Sequence, residues 1–131
     1  MPEPRIEFRP TWGLSTTLAT EVFRTPDERY QGLRNRTSWV RAAATFVFPE
    51  PSYPTFEMKD TPNDLDIVFV ARVADDHGVV VQVENATARL TTVRPTEAVL
   101  WVIELPAGAA KEFGIVRGVP VTFVDVGEAI D

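Results

Sequence analysis

Eleven prolines interrupt this 131-residue chain, and the apolar residues between them fall in short runs. Proline fixes φ and removes a backbone donor, so it blocks helix interiors and central strands. The strongest strand signal is Leu65-Asp66-Ile67-Val68-Phe69-Val70-Ala71-Arg72-Val73, rich in β-branched and aromatic side chains. Asp75-Asp76-His77-Gly78 is a turn of Asp/Gly type, and residues 79–83 pair back as a hairpin. Further strands are expected over 14–23, 44–48, 55–59, 99–105 and 119–124. Pro49, Pro51 and Pro54 are expected to end the 44–48 strand. Residues 85–98 carry few large apolar groups and read as a long surface loop.

Only two segments carry helix signals. In Thr25-Pro26-Asp27-Glu28, the threonine can cap, proline suits the first helical position, and Glu28 completes a capping box. The spacing predicts a helix from Pro26 to Gln31, stopped by Gly32. A second short helix is expected over 106–113, closed by Gly114. Short strands with two such helices predict a mainly β (α+β) fold, a small β-barrel-like domain. Residues 1–13, with Pro2, Pro4 and Pro10, read as an extended N-terminal arm. Residues 14–124 form the domain, and 125–131 an acidic tail.

The composition excludes several chemistries. There is no cysteine, hence no disulfide, thiol catalysis or Cys-based metal site. The single histidine, His77, cannot build a multi-His zinc site and lies in a turn where solvation is its ordinary fate. A net charge of −6 repels phosphate backbones, so nucleic acid is not expected as the main partner. No apolar run reaches the ~18 residues a membrane helix needs, and the first residues carry no apolar leader segment. The expected location is cytoplasm or virion, not a secreted one. No Walker loop, GxGxxG or GxSxG pattern is present, and no catalytic residue, metal or cofactor is indicated.

Four segments, in order, resemble the DUF192 family, also called UPF0127, of small proteins of unknown function. Thr25-Pro26-Asp27-Glu28-Arg29-Tyr30-Gln31-Gly32-Leu33 is similar to the family's TPEERARGL helix. Phe46-Val47-Phe48-Pro49 is the second segment. Phe56-Glu57-Met58-Lys59-Asp60-Thr61, followed by Leu65-Asp66-Ile67-Val68-Phe69, is similar to FWMKNT and LDIxF. Ile103-Glu104-Leu105-Pro106-Ala107-Gly108 with Gly114-Ile115 and Gly118 is similar to LELPAG and GIKxGD. The resemblance implies a small β-barrel-like domain and assigns no reaction. The chain departs from the pattern at Glu57, where the family has Trp, at Asp60 for Asn, at Asp64 for Pro, and at Ala42-Ala43-Ala44-Thr45 for GMLF. Family members often begin with a leader, and copies also occur in bacteriophages.

Asp66 and Glu104 are acids inside apolar strands, and each is costly to bury unpaired. Arg29 and Lys59 are their natural partners. The resemblance places Arg29, Lys59, Asp66 and Glu104 all within its motifs, which implies that they form a candidate ligand-binding cluster, with a structural salt-bridge network as the plain alternative. Asp60, Asp64 and Asp66 are the densest carboxylate group; Asp64 and Asp66 share one face if extended, Asp60 reads as a turn cap, and the group reads as structural rather than as a metal or catalytic site. Phe8 and Trp12 in the arm are the candidate interface anchors. The first functional expectation is a non-enzymatic accessory module with protein partners in an assembly, in its sharpest form a phage virion or capsid decoration protein. The second is a small-ligand-binding protein using the polar cluster, and the third a carboxylate-dependent hydrolase. No membrane partner is expected.

Overall fold

The Thr25 capping box forms as its residues demand. The Thr25 hydroxyl accepts from the Glu28 N–H at 3.1 Å, and Glu28 Oε1 accepts from the Arg24 and Thr25 N–H groups at 2.9 and 3.1 Å. These backbone donors hold the Glu28 carboxyl below its usual range. Helix α1 runs Pro26–Gln31. The computed structural model describes residues 3–131.

Among the described residues there are nine strands: β1 Arg5–Phe8, β2 Thr16–Phe23, β3 Ala43–Ser52, β4 Phe56–Glu57, β5 Leu65–Ala74, β6 His77–Ala86, β7 Thr92–Val93, β8 Val99–Pro106 and β9 Pro120–Val124. Helix α2 is Ala109–Glu112. Seven strands close a barrel in the order β1-β2-β3-β8-β5-β6-β9, sealed by the β1–β9 pair. All pairs in the barrel are antiparallel except β2–β3. A parallel pair needs a crossover, and the segment containing α1 supplies it. β4 and β7 form a separate two-stranded ribbon. The fold is mostly β with two short helices, as the sequence pattern implies.

Strand alternation divides the core into two layers. One cluster draws on all seven barrel strands, with Ile6, Phe8, Val70, Val80, Ile103 and Phe123 among its buried members, and is the barrel interior. Trp101 stacks on Phe123 within it at 4.2 Å between ring centroids. The other cluster draws its strand residues mainly from β3, β5, β6 and β8 and includes Phe46, Leu65, Ile67, Phe69 and Val102. It lies on the outside of the sheet, under Leu33, Met58, Phe56 and Val93. A cavity beside α1 belongs to this outer layer.

Three expectations are corrected. The N-terminal segment is not a free arm: Arg5–Phe8 is a barrel strand paired on both edges, because the proline-free stretch between Pro4 and Pro10 alternates Ile6 and Phe8 inward. Residues 1 and 2 of that arm lie outside the described residues. Pro49 and Pro51 do not end β3. They fall in the irregular stretch between the Val47↔Trp101 and Ser52↔Val99 pairs, past the last β2 partner, where a missing N–H breaks no ladder bond. The 85–98 loop is shorter than expected, since β6 extends to Ala86 and Thr92–Val93 pairs with β4.

The acidic tail folds back on the domain. Val126 is buried in the interior cluster, its carbonyl accepts from Arg24 Nε at 2.6 Å, and the Ile130 N–H donates to the Arg24 carbonyl at 2.9 Å. Asp131 pairs with Arg29 at 2.7 Å.

Candidate functional site

The four-residue polar cluster is not brought together. In the β5–β8 ladder Asp66 pairs with Leu105 and Ile67 pairs with Glu104. Cross-strand partners share a face and successive residues alternate, so Asp66 and Glu104 lie on opposite sides of the sheet. Lys59 is exposed and lines no cavity with the others. Only Arg29 and Glu104 border one space.

Asp66 is 1% exposed and belongs to α2. Its Oδ2 accepts from the Gly108 and Ala110 N–H groups, both at 3.0 Å, and its Oδ1 from Asn85 Nδ2 at 2.8 Å. Gly108, at the N-cap of α2, has no side chain to cap with. A carboxylate from β5 does that work, and three donors offset its burial. Asp60 and Asp64 are also structural: Asp60 pairs with Arg34 at 3.1 Å, and Asp64 accepts from the Ala88 N–H at 2.7 Å. Among the described residues no group of three metal-ligating side chains converges.

Glu104 is different. It is 5% exposed, and among the described residues it makes no ion pair and no side-chain hydrogen bond. Among the described residues no fully enclosed side-chain oxygen or nitrogen lacks a partner, so the Glu104 carboxyl keeps its small solvent contact. That contact opens into a cavity of about 210 Å³. Burial alone pushes its pKa up to about 8, so near neutrality the group is a carboxylic acid rather than a carboxylate.

The cavity is built where α1 crosses the outer face of β3. Gly32 ends α1 with φ of +43°, and a Cβ there would stand 2.9 Å from Phe46 Cζ, so only glycine lets the turn rest on that ring. Phe56 meets Phe46 edge-on at 5.0 Å and Phe48 at 6.5 Å between centroids. Arg29 and Arg34 stand at the rim over aromatic rings, 5.4 Å from Phe48 and 4.7 Å from Tyr30. The Arg29 guanidinium donates to the Arg24 and Val47 carbonyls at 2.6 and 3.1 Å besides pairing with Asp131. Thr61, 6% exposed and without a side-chain hydrogen bond, also lines the space. Glu57, standing where the resembled pattern has Trp, lines it too. The aromatic wall was not foreseen as a site: Phe46, Phe48 and Phe56 read as ordinary core until the ring edges are seen around an unpaired acid.

A larger cleft of about 550 Å³ lies at one mouth of the barrel, over Trp101 and Phe123. Its carboxylates, Glu50, Asp75, Asp76, Asp125 and Glu128, are all exposed. Solvated acids of this kind attract counterions without specifying a ligand. The smaller cavity holds the buried, unpaired group and is the better candidate.

Phe8, taken from sequence as an interface anchor, is fully buried in the barrel and is corrected to a core residue. Trp12 is 88% exposed in the β1–β2 connection. The arginines of the first third form no free basic patch. Arg5, Arg9, Arg29, Arg34, Arg36 and Arg41 each face a carboxylate, and Arg24 binds a carbonyl. His77 is exposed, within 3.2 Å of the Thr122 hydroxyl.

Two solved structures are similar to the chain throughout. A crystal structure of a protein from Sinorhizobium meliloti 1021, described as a "putative transcription regulator", matches with a TM-score of 0.83 and 28% identity, over 93% of this chain and 94% of that one. A protein of unknown function from Novosphingobium aromaticivorans DSM 12444 matches with a TM-score of 0.78 and 29% identity, over 89% and 82%. No curated protein matches. The family match extends over residues 10–123, nearly the entire barrel, and the chain belongs to DUF192, a family described as uncharacterized ACR.

Proposed function

We propose that this chain is a small-molecule-binding protein and that its site is the cavity beneath α1. The observation that carries the reading is Glu104: a nine-tenths-buried acid with no partner among the described residues, at the surface of a preformed space walled by aromatic rings. Buried polar groups are nearly always satisfied, and an exception set in a cavity marks a place for a ligand or water. At about 210 Å³ the space is below the ~300–1,000 Å³ of drug-sized pockets, so its occupant is a single ring or short chain. An unpaired acid facing a preformed space supports binding as its role. The description of the Sinorhizobium protein as a regulator accords with a ligand sensor better than with a DNA reader, given a net charge of −6 and arginines already engaged.

The test is a fragment screen of the full chain by amide NMR, repeated on Glu57→Trp, which fills the cavity mouth. Fragments that shift signals from residues 29–34, 46–48 and 104 in the native chain, and not in the variant, support the reading. Hits that ignore the variant, or no hits, sink it.

Trp12 and Leu14, 88% and 89% exposed in one connection, favour a second reading, the accessory module of an assembly. The tail gives that reading no help, since it is tied to Arg24 and Arg29. Sedimentation in native lysate of the chain and of Trp12→Ser/Leu14→Ser decides it: a large particle lost in the variant supports assembly, and identical slow sedimentation of both removes it.

A further inference from the structure

We propose that the cavity takes a neutral, ring-sized molecule whose edge carries a hydrogen-bond donor beside an acceptor, an amide, lactam or cyclic imide, paired to the Glu104 carboxyl. This rests on the ligand-binding reading and adds the chemistry of the ligand. The size of the space is the first constraint. About 210 Å³ corresponds to ~7 waters at ~30 Å³ each, enough for one substituted ring. Its walls are the second. Phe46, Phe48 and Phe56 offer ring edges and faces, which suit a flat, apolar body.

The polar complement follows from the inventory of groups. A carboxylic acid presents one donor and one acceptor side by side, and among the described residues no group takes either from Glu104. An amide edge presents the matching pair, so both hydrogen bonds close in a ring. The Thr61 hydroxyl, also without a side-chain hydrogen bond among the described residues, lines the same space.

Charged ligands fit less well. A cation would enter past two guanidinium groups, Arg29 and Arg34, and would force Glu104 to ionise in a buried place. An anion would be drawn to those guanidinium groups but would find them in use. Arg29 serves two carbonyls and Asp131, and Arg34 serves the Tyr30 carbonyl at 2.9 Å and Asp60. Glu57 adds a negative charge at the same mouth. A neutral edge leaves every existing pair intact.

Four probes that share one ring and differ only at the edge test this: benzamide, the benzamidinium cation, benzoate and toluene, titrated against the full chain by amide NMR at neutral pH. Benzamide should shift the signals around Glu104 and bind about tenfold more tightly than any of the other three, the value of one well-made hydrogen-bonded pair. Glu104→Leu should erase that preference, leaving benzamide equal to toluene. Glu104→Gln, which keeps a donor beside an acceptor, should retain it and guards against a folding artefact. A preference for benzamidinium or benzoate, or equal binding of toluene to the native chain, overturns the ligand class while leaving the cavity a binding site. Silence from all four at millimolar concentration overturns both.

Discussion

Glu104 should make this protein lose stability as pH rises through the neutral range, the reverse of the usual behaviour of acids. The unfolded chain titrates this carboxyl near 4.5, and the folded barrel near 8. The folded state therefore holds the proton more tightly. The stability it contributes is complete below pH 4.5, declines as pH rises from there to about 8, and levels off above. At 1.36 kcal/mol per tenfold change in proton affinity, the full span is ~5 kcal/mol, and the part between pH 5 and pH 9 is ~4 kcal/mol. For a chain of this length that is about 15 °C in Tm. Glu28, whose carboxyl is held below its ordinary value by backbone N–H groups, acts only on the acid side of 4.5 and does not disturb this window.

Thermal unfolding at pH 5, 7 and 9, on native protein and Glu104→Gln, reads the effect directly. Gln has the shape of the protonated acid and no charge to bury. The variant should be nearly flat across the window and should exceed the native chain in Tm at pH 9. The groups that share the cavity, Arg29, Arg34, Tyr30 and Glu57, are common to both proteins and cancel in the comparison. Parallel curves for the two proteins would refute the reasoning, because they would mean that Glu104 ionises in the folded state without cost and is neither buried nor unpartnered in solution.

Asp66→Ala should cost ~3–5 kcal/mol in urea unfolding, since it strands two N–H groups of α2 and the Asn85 amide at once. Gly32→Ala should cost ~2 kcal/mol through its positive φ and push the Phe46 ring, and amide NMR should report the ring displacement along β3. Thr25→Ala should remove ~1 kcal/mol by opening the capping box, with hydrogen exchange rising in α1 before it rises in the barrel.

The barrel was legible because its determinants are local. The β-branched and aromatic run of β5, the alternation in β8 and β9, the Asp75-Asp76 turn before β6 and the capping box of α1 each state their structure within a few residues. Where the sequence misled, a non-local partner decided. Pro49 and Pro51 look like terminators, and nothing near them reveals that β2 has already parted from β3. The first thirteen residues look like a loose arm, and nothing near them reveals that β9, more than a hundred residues on, waits to pair with Arg5–Phe8.

The site was half legible for the same physical reason. Burial of Asp66 and Glu104 could be read from their apolar neighbours, and so could the need for partners. Their separation could not, because it hangs on one residue of register between β5 and β8: pairing Asp66 with Glu104 directly would have set both acids on one face, whereas the observed Asp66↔Leu105 pairing sends them to opposite faces. One acid then finds the α2 N-terminus, which lacks a capping side chain of its own, and is fully satisfied. The other faces the outer layer, where α1 and the β4–β7 ribbon cover the sheet without closing over it. Two chemically similar residues in neighbouring strands thus take opposite places, one capping a helix from inside the barrel and one bordering a cavity without a partner among the described residues, and a single register decides which is which.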